Sequence, residues 1–132
     1  MQRLKLGLYL VVGGCLLFVL AACAGASADG AASAVERYLD ALVAGDVNQL
    51  VDASCAAWEA DARLEMDSFS AVSVEMEDLQ CKESGQEGDI ALVDCSGKII
   101  ANYGNEVLEI NLADRTYAAV LEGGEWRMCG YR

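Results

Sequence analysis

The side chains that could do chemistry in this chain are carboxylates, tyrosines and cysteines, because its 132 residues include no histidine. Without histidine, a Ser-His-Asp triad cannot form, and the commonest general base and metal ligand is missing. The chain also has no glycine-rich phosphate loop and no Cys-x-x-Cys redox motif. We therefore predict no metal ion and no cofactor, and the six cysteines become the most informative residues.

Cys23 stands directly after the sequence Leu-Ala-Ala, at the end of an apolar run over residues 6–20 that follows Arg3 and Lys5. A basic head, an apolar stretch and a small-residue exit are the three parts of a secretory signal. The sequence Leu-Ala-Ala-Cys resembles the lipobox of bacterial lipoproteins. This resemblance implies that residues 1–22 are a signal peptide and that Cys23 carries lipid, because two or more acyl chains hold a protein stably on a membrane.

Two other interpretations of this segment stay open. Residues 6–22 are close to the minimum of about 17 residues for a spanning helix, so an uncleaved anchor competes with the signal peptide. A fully released protein also competes, although it leaves the position of Cys23 unexplained. We predict a lipid-anchored protein on the extracytoplasmic face of a bacterial membrane. Cys15 lies inside the apolar run and leaves with it.

The charge of the chain narrows the choice of partners. The formal net charge is −12, with 21 acidic residues against nine basic ones. Cleavage of residues 1–22 would remove the positive charges of Arg3 and Lys5 and make the remaining chain more acidic. Such an acidic protein is repelled by nucleic acid and by anionic lipid, so we predict no nucleic-acid partner. A solvated acidic surface explains the excess more simply than a cation site, since no acidic run has the spacing of a calcium loop.

The other four cysteines predict two disulfide bonds. An even number of cysteines in a small exported domain is typical of a disulfide framework, here with three connectivities. Zinc binding is the alternative, but no pair has the close spacing of a structural zinc site. We prefer Cys81 with Cys95, which flank a predicted hairpin, and Cys55 with Cys129, which would tie the helices to the last strand.

The first part of the chain predicts a tether and then a helix. Residues 24–32 are small and featureless, as expected of a flexible tether that begins at the lipidated cysteine, so the folded domain is predicted over residues 33–132. Ser33 and Glu36 have the spacing of a capping box. Apolar residues then recur at helical spacing, and Gly45 ends the helix.

Two further helical segments follow. Asp46 is predicted to cap a second helix, with Gln49 three residues later. Residues 56–69 continue as helix after a break near Ser54, and the charged residues of that segment, including Glu65, are predicted to point to water.

From residue 72 onward, apolar and polar residues alternate as they do in strands. We predict a strand over residues 72–81 and a loop over residues 83–88. A long strand follows at 91–103, and another at 107–121, with an interruption near 113–115. The last strand is predicted at 126–131, after a tight turn made by two glycines. Helices followed by antiparallel strands predict an α+β domain.

A second resemblance concerns the fold. The sequence Ala-Val-Glu-Arg-Tyr-Leu-Asp-Ala-Leu-Val-Ala-Gly-Asp at 34–46, followed by strands and Gly-Glu-Trp-Arg at 124–127, is similar to the small cone-shaped domains of the nuclear transport factor 2-like superfamily. In particular it resembles bacterial lipoproteins of unknown function with that fold. The resemblance implies amino-terminal helices packed on a curved antiparallel sheet of about four strands. A cystatin-like sheet around one helix is the alternative.

The resemblance also implies a conical pocket between helices and sheet. Five aromatic residues could lie near such a pocket: Tyr38, Trp58, Tyr103, Tyr117 and Trp126. The preferred interpretation is that they are ordinary core residues, with tyrosine hydroxyls that reach water. Isomerase-like members of the superfamily use an Asp base with Tyr and a second acid as oxyanion donors. Asp94 or Asp114 could supply an acid here.

No position matches the catalytic motif of those enzymes, so no catalytic residue is assigned. The leading hypothesis is a non-enzymatic domain that binds a small ligand or an envelope protein. The alternative is a pocket enzyme of the isomerase, dehydratase or hydrolase type that uses Asp and Tyr for acid-base chemistry. A purely structural spacer is a third hypothesis. Fold alone does not choose among these functions.

Overall fold

A computed structural model describes residues 30–132 of the chain. The predicted signal peptide, Cys23 and most of the predicted tether lie outside this range. Three helices come first and five strands follow, with a short 3-10 helix between the third and fourth strands. The helices are α1 Ala31–Ala44, α2 Val47–Ala53 and α3 Glu59–Asp67. Over residues 30–132, no helix is long and apolar enough to cross a membrane.

The junction between α1 and α2 agrees with the sequence prediction. Gly45 adopts a left-handed conformation with φ 68°, which ends α1 at a residue that tolerates this conformation. The Asp46 carboxylate then accepts hydrogen bonds from the backbone N–H groups of Asn48 and Gln49, both at 3.1 Å. These bonds satisfy donors that the first turn of α2 leaves free.

The predicted start of α1 is wrong. The helix begins at Ala31 instead of Ser33, its N-cap residue is Gly30, and no side chain caps it. The Glu36 carboxylate has another partner, because it accepts a hydrogen bond from the backbone N–H of Cys81 at 2.8 Å. A contact with the sheet therefore takes the place of the expected capping box.

The five strands form one antiparallel sheet in the order β1-β2-β4-β5, with β3 also paired to β2. Their bounds are β1 Ser73–Glu87, β2 Ile90–Asn102, β3 Val107–Asn111, β4 Thr116–Glu122 and β5 Glu125–Tyr131. The helices pack on this sheet, so the predicted α+β fold class with amino-terminal helices on an antiparallel sheet is confirmed. The strand count differs from about four because the 3-10 helix Leu112–Asp114 divides the predicted strand 107–121 in two. The loop predicted at 83–88 is wrong, since β1 continues through most of it.

The two halves of β2 have different neighbours, and this opens the sheet. Residues 90–94 pair with β4, whereas residues 98–102 pair with β3. Between the halves lies Gly97 with φ 100°, and a β-carbon there would lie 2.4 Å from the Glu77 carbonyl oxygen. Only glycine fits this close approach to the bulge in β1. The sheet thus divides around β2, and space remains between β3, β4 and the helices.

The core lies between α1 and the sheet. Tyr38, Leu39 and Leu42 of α1 are buried against residues such as Val93 and Met128 of the sheet. The segment between α2 and α3 joins this layer, because the backbone N–H of Cys55 donates to the Met128 carbonyl at 2.8 Å. The break predicted near Ser54 is therefore present, and it attaches the helices to β5.

Two disulfide bonds are present in the structure. One joins Cys55 to Cys129 with Cα atoms 5.2 Å apart, and the other joins Cys81 to Cys95 with Cα atoms 4.1 Å apart. These are the pairs preferred from the sequence. The first bond ties the segment before α3 to β5, whereas the second crosses two adjacent strands.

Candidate functional site

A cavity of about 270 Å³ lies between α1, α3 and the divided sheet. We call it the cone cavity. Seven of its lining side chains are apolar and six carry a polar group. Its lining comprises Leu39, Leu42, Glu65, Ser68, Phe69, Ile99, Tyr103, Leu108, Ile110, Leu112, Arg115, Tyr117 and Tyr131. Apolar surface combined with polar groups in fixed positions is typical of small-molecule sites.

The Glu65 carboxylate is the fixed polar group of this cavity. The Tyr38 hydroxyl donates to Glu65 Oε2, and the Tyr131 hydroxyl donates to Glu65 Oε1 at 2.5 Å. The Trp58 indole N–H donates to the Tyr38 oxygen at 3.2 Å and so holds that phenol in place. The Glu65 side chain is only 22% exposed. Each carboxylate oxygen therefore has a phenol donor, which offsets the cost of burying the charge.

The phenols of this network stay protonated. Burial, followed by the nearby charge of Glu65, raises the pKa of Tyr38 and of Tyr131 far above the usual value for a phenol. Burial also raises the pKa of Tyr117 to about 12, although the positive charge of Arg115 opposes this shift. The protonated phenols of Tyr38 and Tyr131 are thus permanent donors to Glu65 at neutral pH.

Aromatic rings and one arginine surround the carboxylate. The Tyr131 ring makes edge contacts with Trp58 and Tyr117, with centroids 5.4 and 5.3 Å apart. On the cavity side, the Arg115 guanidinium carbon lies 4.7 Å from the centre of the Tyr131 ring. Arg115 Nη1 lies 3.7 Å from Glu65 Oε1. The polar end of the cavity therefore combines a carboxylate, a ring face and a cation.

A bulge in β5 directs Tyr131 into this site. Tyr117 pairs with Tyr131 while Ala119 pairs with Met128, so β5 uses one residue more than β4 between these pairs. Gly130, with φ 108°, lies in the bulge, and a β-carbon there would lie 3.3 Å from Trp58. Strict alternation from the buried Met128 would place Tyr131 on the opposite face. The glycine bulge reverses that face and leaves room for the indole.

The structure separates the five aromatic residues expected near the pocket. Tyr103 and Tyr117 line the cone cavity. Tyr38 and Trp58 lie behind its wall and reach the site through the hydrogen bonds to Glu65 and Tyr38. Trp126 does not line the cavity; it packs against the core from β5.

The acid of the site is neither of the two considered from the sequence. Asp94 accepts a hydrogen bond from the Thr116 hydroxyl at 3.0 Å, outside the cone cavity. Asp114 is exposed in the 3-10 helix. Glu65 supplies the acid instead, so the expectation that its side chain points to water is wrong. The sequence does contain a signal for Glu65. It follows the buried Ala62 by three residues and precedes Phe69 by four, which is the spacing of residues on one helix face.

The sequence patterns do not predict the positions of Tyr131 and Arg115 either. The glycine inside the last strand is the signal for Tyr131, because an interior glycine often marks a bulge. No local signal marks Arg115, whose position depends on how the 3-10 helix leads into β4. Among residues 30–132, no group of three or more Cys, Asp or Glu side chains is arranged to hold a metal ion.

Comparison with known proteins gives little further guidance. No family model matches the chain, and no curated protein matches it. Among solved structures, the chain is similar to a Streptomyces avermitilis protein of the nuclear transport factor 2-like family that is proposed to be a dehydratase. The sequence identity is 15% and the TM-score 0.47, over 73% of this chain and 86% of that chain. This similarity carries no conclusion about activity.

Proposed function

We propose that this protein is a lipid-anchored extracytoplasmic domain that binds a small amphipathic ligand in the cone cavity. The observation that carries the proposal is the Glu65 carboxylate, held by Tyr38 and Tyr131 in a cavity that also presents seven apolar side chains. A polar group fixed before binding needs no reordering when a ligand arrives, and this supports affinity. The volume of about 270 Å³ suits a small ligand.

Filling the cavity tests ligand binding. Leu108 lines the cavity and is 46% exposed, so a Leu108→Trp side chain can occupy the cavity without displacing core residues. The neighbouring Val107 is 56% exposed and points to the other face of β3, which makes Val107→Trp the matched control. The probes are phenol, benzyl alcohol and benzamide, with binding followed by NMR titration. We expect Leu108→Trp to weaken binding by about tenfold or more, or about 1.4 kcal/mol, and Val107→Trp to leave it unchanged.

Two results would contradict the binding proposal. One is the absence of measurable binding of all three probes to the wild-type protein. The other is equal binding by wild-type protein and the Leu108→Trp variant, which would place the probes elsewhere.

The anchor requires its own experiment. Cys23→Ser should abolish lipid attachment, whereas Cys15→Ser, in the same leader, should not. We expect only the Cys23→Ser variant to leave the membrane fraction or to accumulate unprocessed, with intact mass as the second measurement. A Cys23→Ser variant that stays in the membrane with unchanged processing and mass would refute the lipoprotein assignment.

An acid-base enzyme is the second candidate, because a carboxylate and two phenol oxygens converge at Glu65. Each carboxylate oxygen accepts one phenol hydrogen bond and keeps a lone pair for a ligand donor, whereas a general base would have to take up a proton while both phenols still donate to it. This is why binding ranks first. Exchange of the α-protons of small ketones in deuterated water, followed by NMR, tests proton transfer. Exchange that is fast in wild-type protein and Glu59→Gln but lost in Glu65→Gln would favour the enzyme.

A further inference from the structure

We propose that the polar end of the cone cavity recognises a planar cation, an amidinium or guanidinium group carried on a small apolar body. This inference rests on the proposed ligand-binding function and names the class of ligand. Three features carry it: the position of Arg115, the exposure of that side chain and the apolar wall next to it.

Arg115 shows what kind of group the site accepts. Its guanidinium lies over the Tyr131 ring at 4.7 Å and 3.7 Å from the Glu65 carboxylate. A carboxylate beside an aromatic face is the complement of a delocalised cation, because the acid supplies charge and the ring supplies its negative face. The side chain of the protein itself thus occupies the position that a ligand cation would take.

Arg115 is held weakly enough to be displaced. Its side chain is 47% exposed, and its distance to Glu65 is longer than a hydrogen bond. Half-exposed ion pairs of this kind contribute little to stability. When Arg115 moves aside, Tyr38 and Tyr131 still hold the carboxylate. The acceptor therefore keeps its position for a cation that can approach more closely than Arg115 does.

The apolar part of the cavity wall determines what the cation must be attached to. Phe69, Ile99 and Leu112 contribute apolar surface to the wall, so the cation must be attached to an apolar body. Once Arg115 has moved aside, an anionic ligand would face the Glu65 carboxylate without a neighbouring cation and would be repelled. The acidic surface, with a formal net charge of −12 for the chain, also attracts cations from solution.

Benzamidine and benzamide test the inference directly, because they have nearly the same shape and differ in charge. We expect wild-type protein to bind benzamidine at least about tenfold more tightly than benzamide, since a charge-assisted hydrogen bond is about twice as strong as a neutral one. Isothermal calorimetry at low salt gives both affinities.

Matched variants show which residues cause the preference for benzamidine over benzamide. Glu65→Gln keeps an acceptor oxygen but removes the charge, and we expect it to lose most of the preference for benzamidine. Glu59→Gln, on the same helix, is the control and should keep it. Arg115→Ala should strengthen benzamidine binding by about two- to fivefold, the factor expected for removing a competing half-exposed pair. Arg63→Ala, which removes a surface arginine paired with Glu59, should not change it.

The outcomes separate the two proposals. Equal or tighter binding of benzamide by wild-type protein would overturn the cation inference while the ligand-binding function stands. A preference that survives in Glu65→Gln would also overturn the inference. If neither benzamidine nor benzamide binds, the inference is overturned, and the proposed function fails with it only if phenol and benzyl alcohol do not bind either. Should Glu65→Gln not fold, the wild-type comparison and the Arg115→Ala variant decide, since neither alters the Tyr38 and Tyr131 hydrogen bonds.

Discussion

Two of the concave regions formed by residues 30–132 differ in how their charged groups are held. The cone cavity contains one carboxylate fixed by two phenols, whereas a groove between α1, α2 and β5 is more than twice as large, at about 600 Å³. We call the second region the polar groove. Its lining comprises Arg37, Gln49, Asp52, Ala53, Gly124, Glu125 and Arg127. Size alone would favour the polar groove over the cone cavity as a binding site.

The contacts within the two regions lead to the opposite conclusion. In the polar groove, Arg127 donates to the Asp52 carbonyl and to the Glu125 carboxylate at 2.9 Å, and the Glu125 side chain is 70% exposed. Such charges satisfy each other or water and are screened by salt. In the cone cavity, Glu65 is only 22% exposed, and the Tyr38 and Tyr131 hydroxyls hold its two oxygens. A ligand gains most where a polar group is fixed and partly withdrawn from water.

Removing a disulfide bond should have the largest effect on the free energy of unfolding. It should also distinguish the region near Trp58, which the Cys55–Cys129 bond attaches to β5, from the rest of the sheet. The Cys55–Cys129 bond closes a sequence separation of 74 residues and the Cys81–Cys95 bond one of 14. Loop entropy predicts losses of about 4.5 and about 3 kcal/mol in the free energy of unfolding. Double alanine variants, compared by urea denaturation, check this order. Equal losses for both variants would show that chain entropy does not set their contributions.

Glu65→Ala should cost about 2–3 kcal/mol of unfolding free energy, because the Tyr38 and Tyr131 hydroxyls lose their acceptor. Glu125→Ala in the polar groove is the matched control and should change the free energy by no more than about 0.5 kcal/mol. Thermal and urea unfolding measure both values. Similar effects at the two sites would remove the distinction between the cavity and the groove.

Glycine substitutions compare the backbone of the two regions. Gly130 and Gly124 both have positive φ, at 108° and 83°, but only Gly130 has a neighbour, Trp58, near the position of a β-carbon. Gly124→Ala should cost about 1 kcal/mol for backbone strain, and Gly130→Ala about 2–3 kcal/mol, because the indole must also move. Tryptophan fluorescence should change only in Gly130→Ala. An unchanged spectrum in that variant would show that the bulge does not position Trp58.

Near neutral pH, the pH dependence of the free energy of unfolding is the smallest of the predicted effects. The pKa of Tyr38, Tyr117 and Tyr131 is raised in the fold. Their stabilisation is complete below the unfolded pKa of about 10 and is lost as the pH rises above it, by up to about 1.4 kcal/mol per pH unit for each phenol. Unfolding free energies between pH 8 and 11 test the sign, and Tyr117→Phe should reduce the slope. A free energy of unfolding that stays constant or rises above pH 10 would contradict the raised pKa of these phenols.

Much of the fold follows from local sequence signals. Gly45 ends α1 because it has no β-carbon to oppose the left-handed conformation, Asp46 caps α2 with its own carboxylate, and alternation locates most of β2. The start of α1 does not follow, because Glu36 bonds to Cys81, which is 45 residues away. The extension of β1 through the predicted loop likewise depends on pairing with β2. Local patterns cannot include the energy of a partner that arrives only when the chain folds.

The site was less predictable than the fold for the same reason. Tyr38 and Tyr117 could be selected as aromatic residues on apolar faces, but the role of Glu65 depends on two phenols from different elements. Tyr131 reaches the cavity only through the bulge at Gly130. A charged residue on a short helix favours solvent by its own chemistry, and only the two donors reverse that preference.

One NMR titration tests the central claim most directly, that the smaller cavity and not the larger groove binds ligands. Benzamidine is added to the ¹⁵N-labelled wild-type protein while backbone amide shifts are followed. We predict saturable shifts at Ser68, Phe69 and Tyr117 around the cone cavity, with Asp52 and Gly124 in the polar groove unchanged. Saturable shifts confined to the polar groove, or none in the cone cavity, would contradict the account.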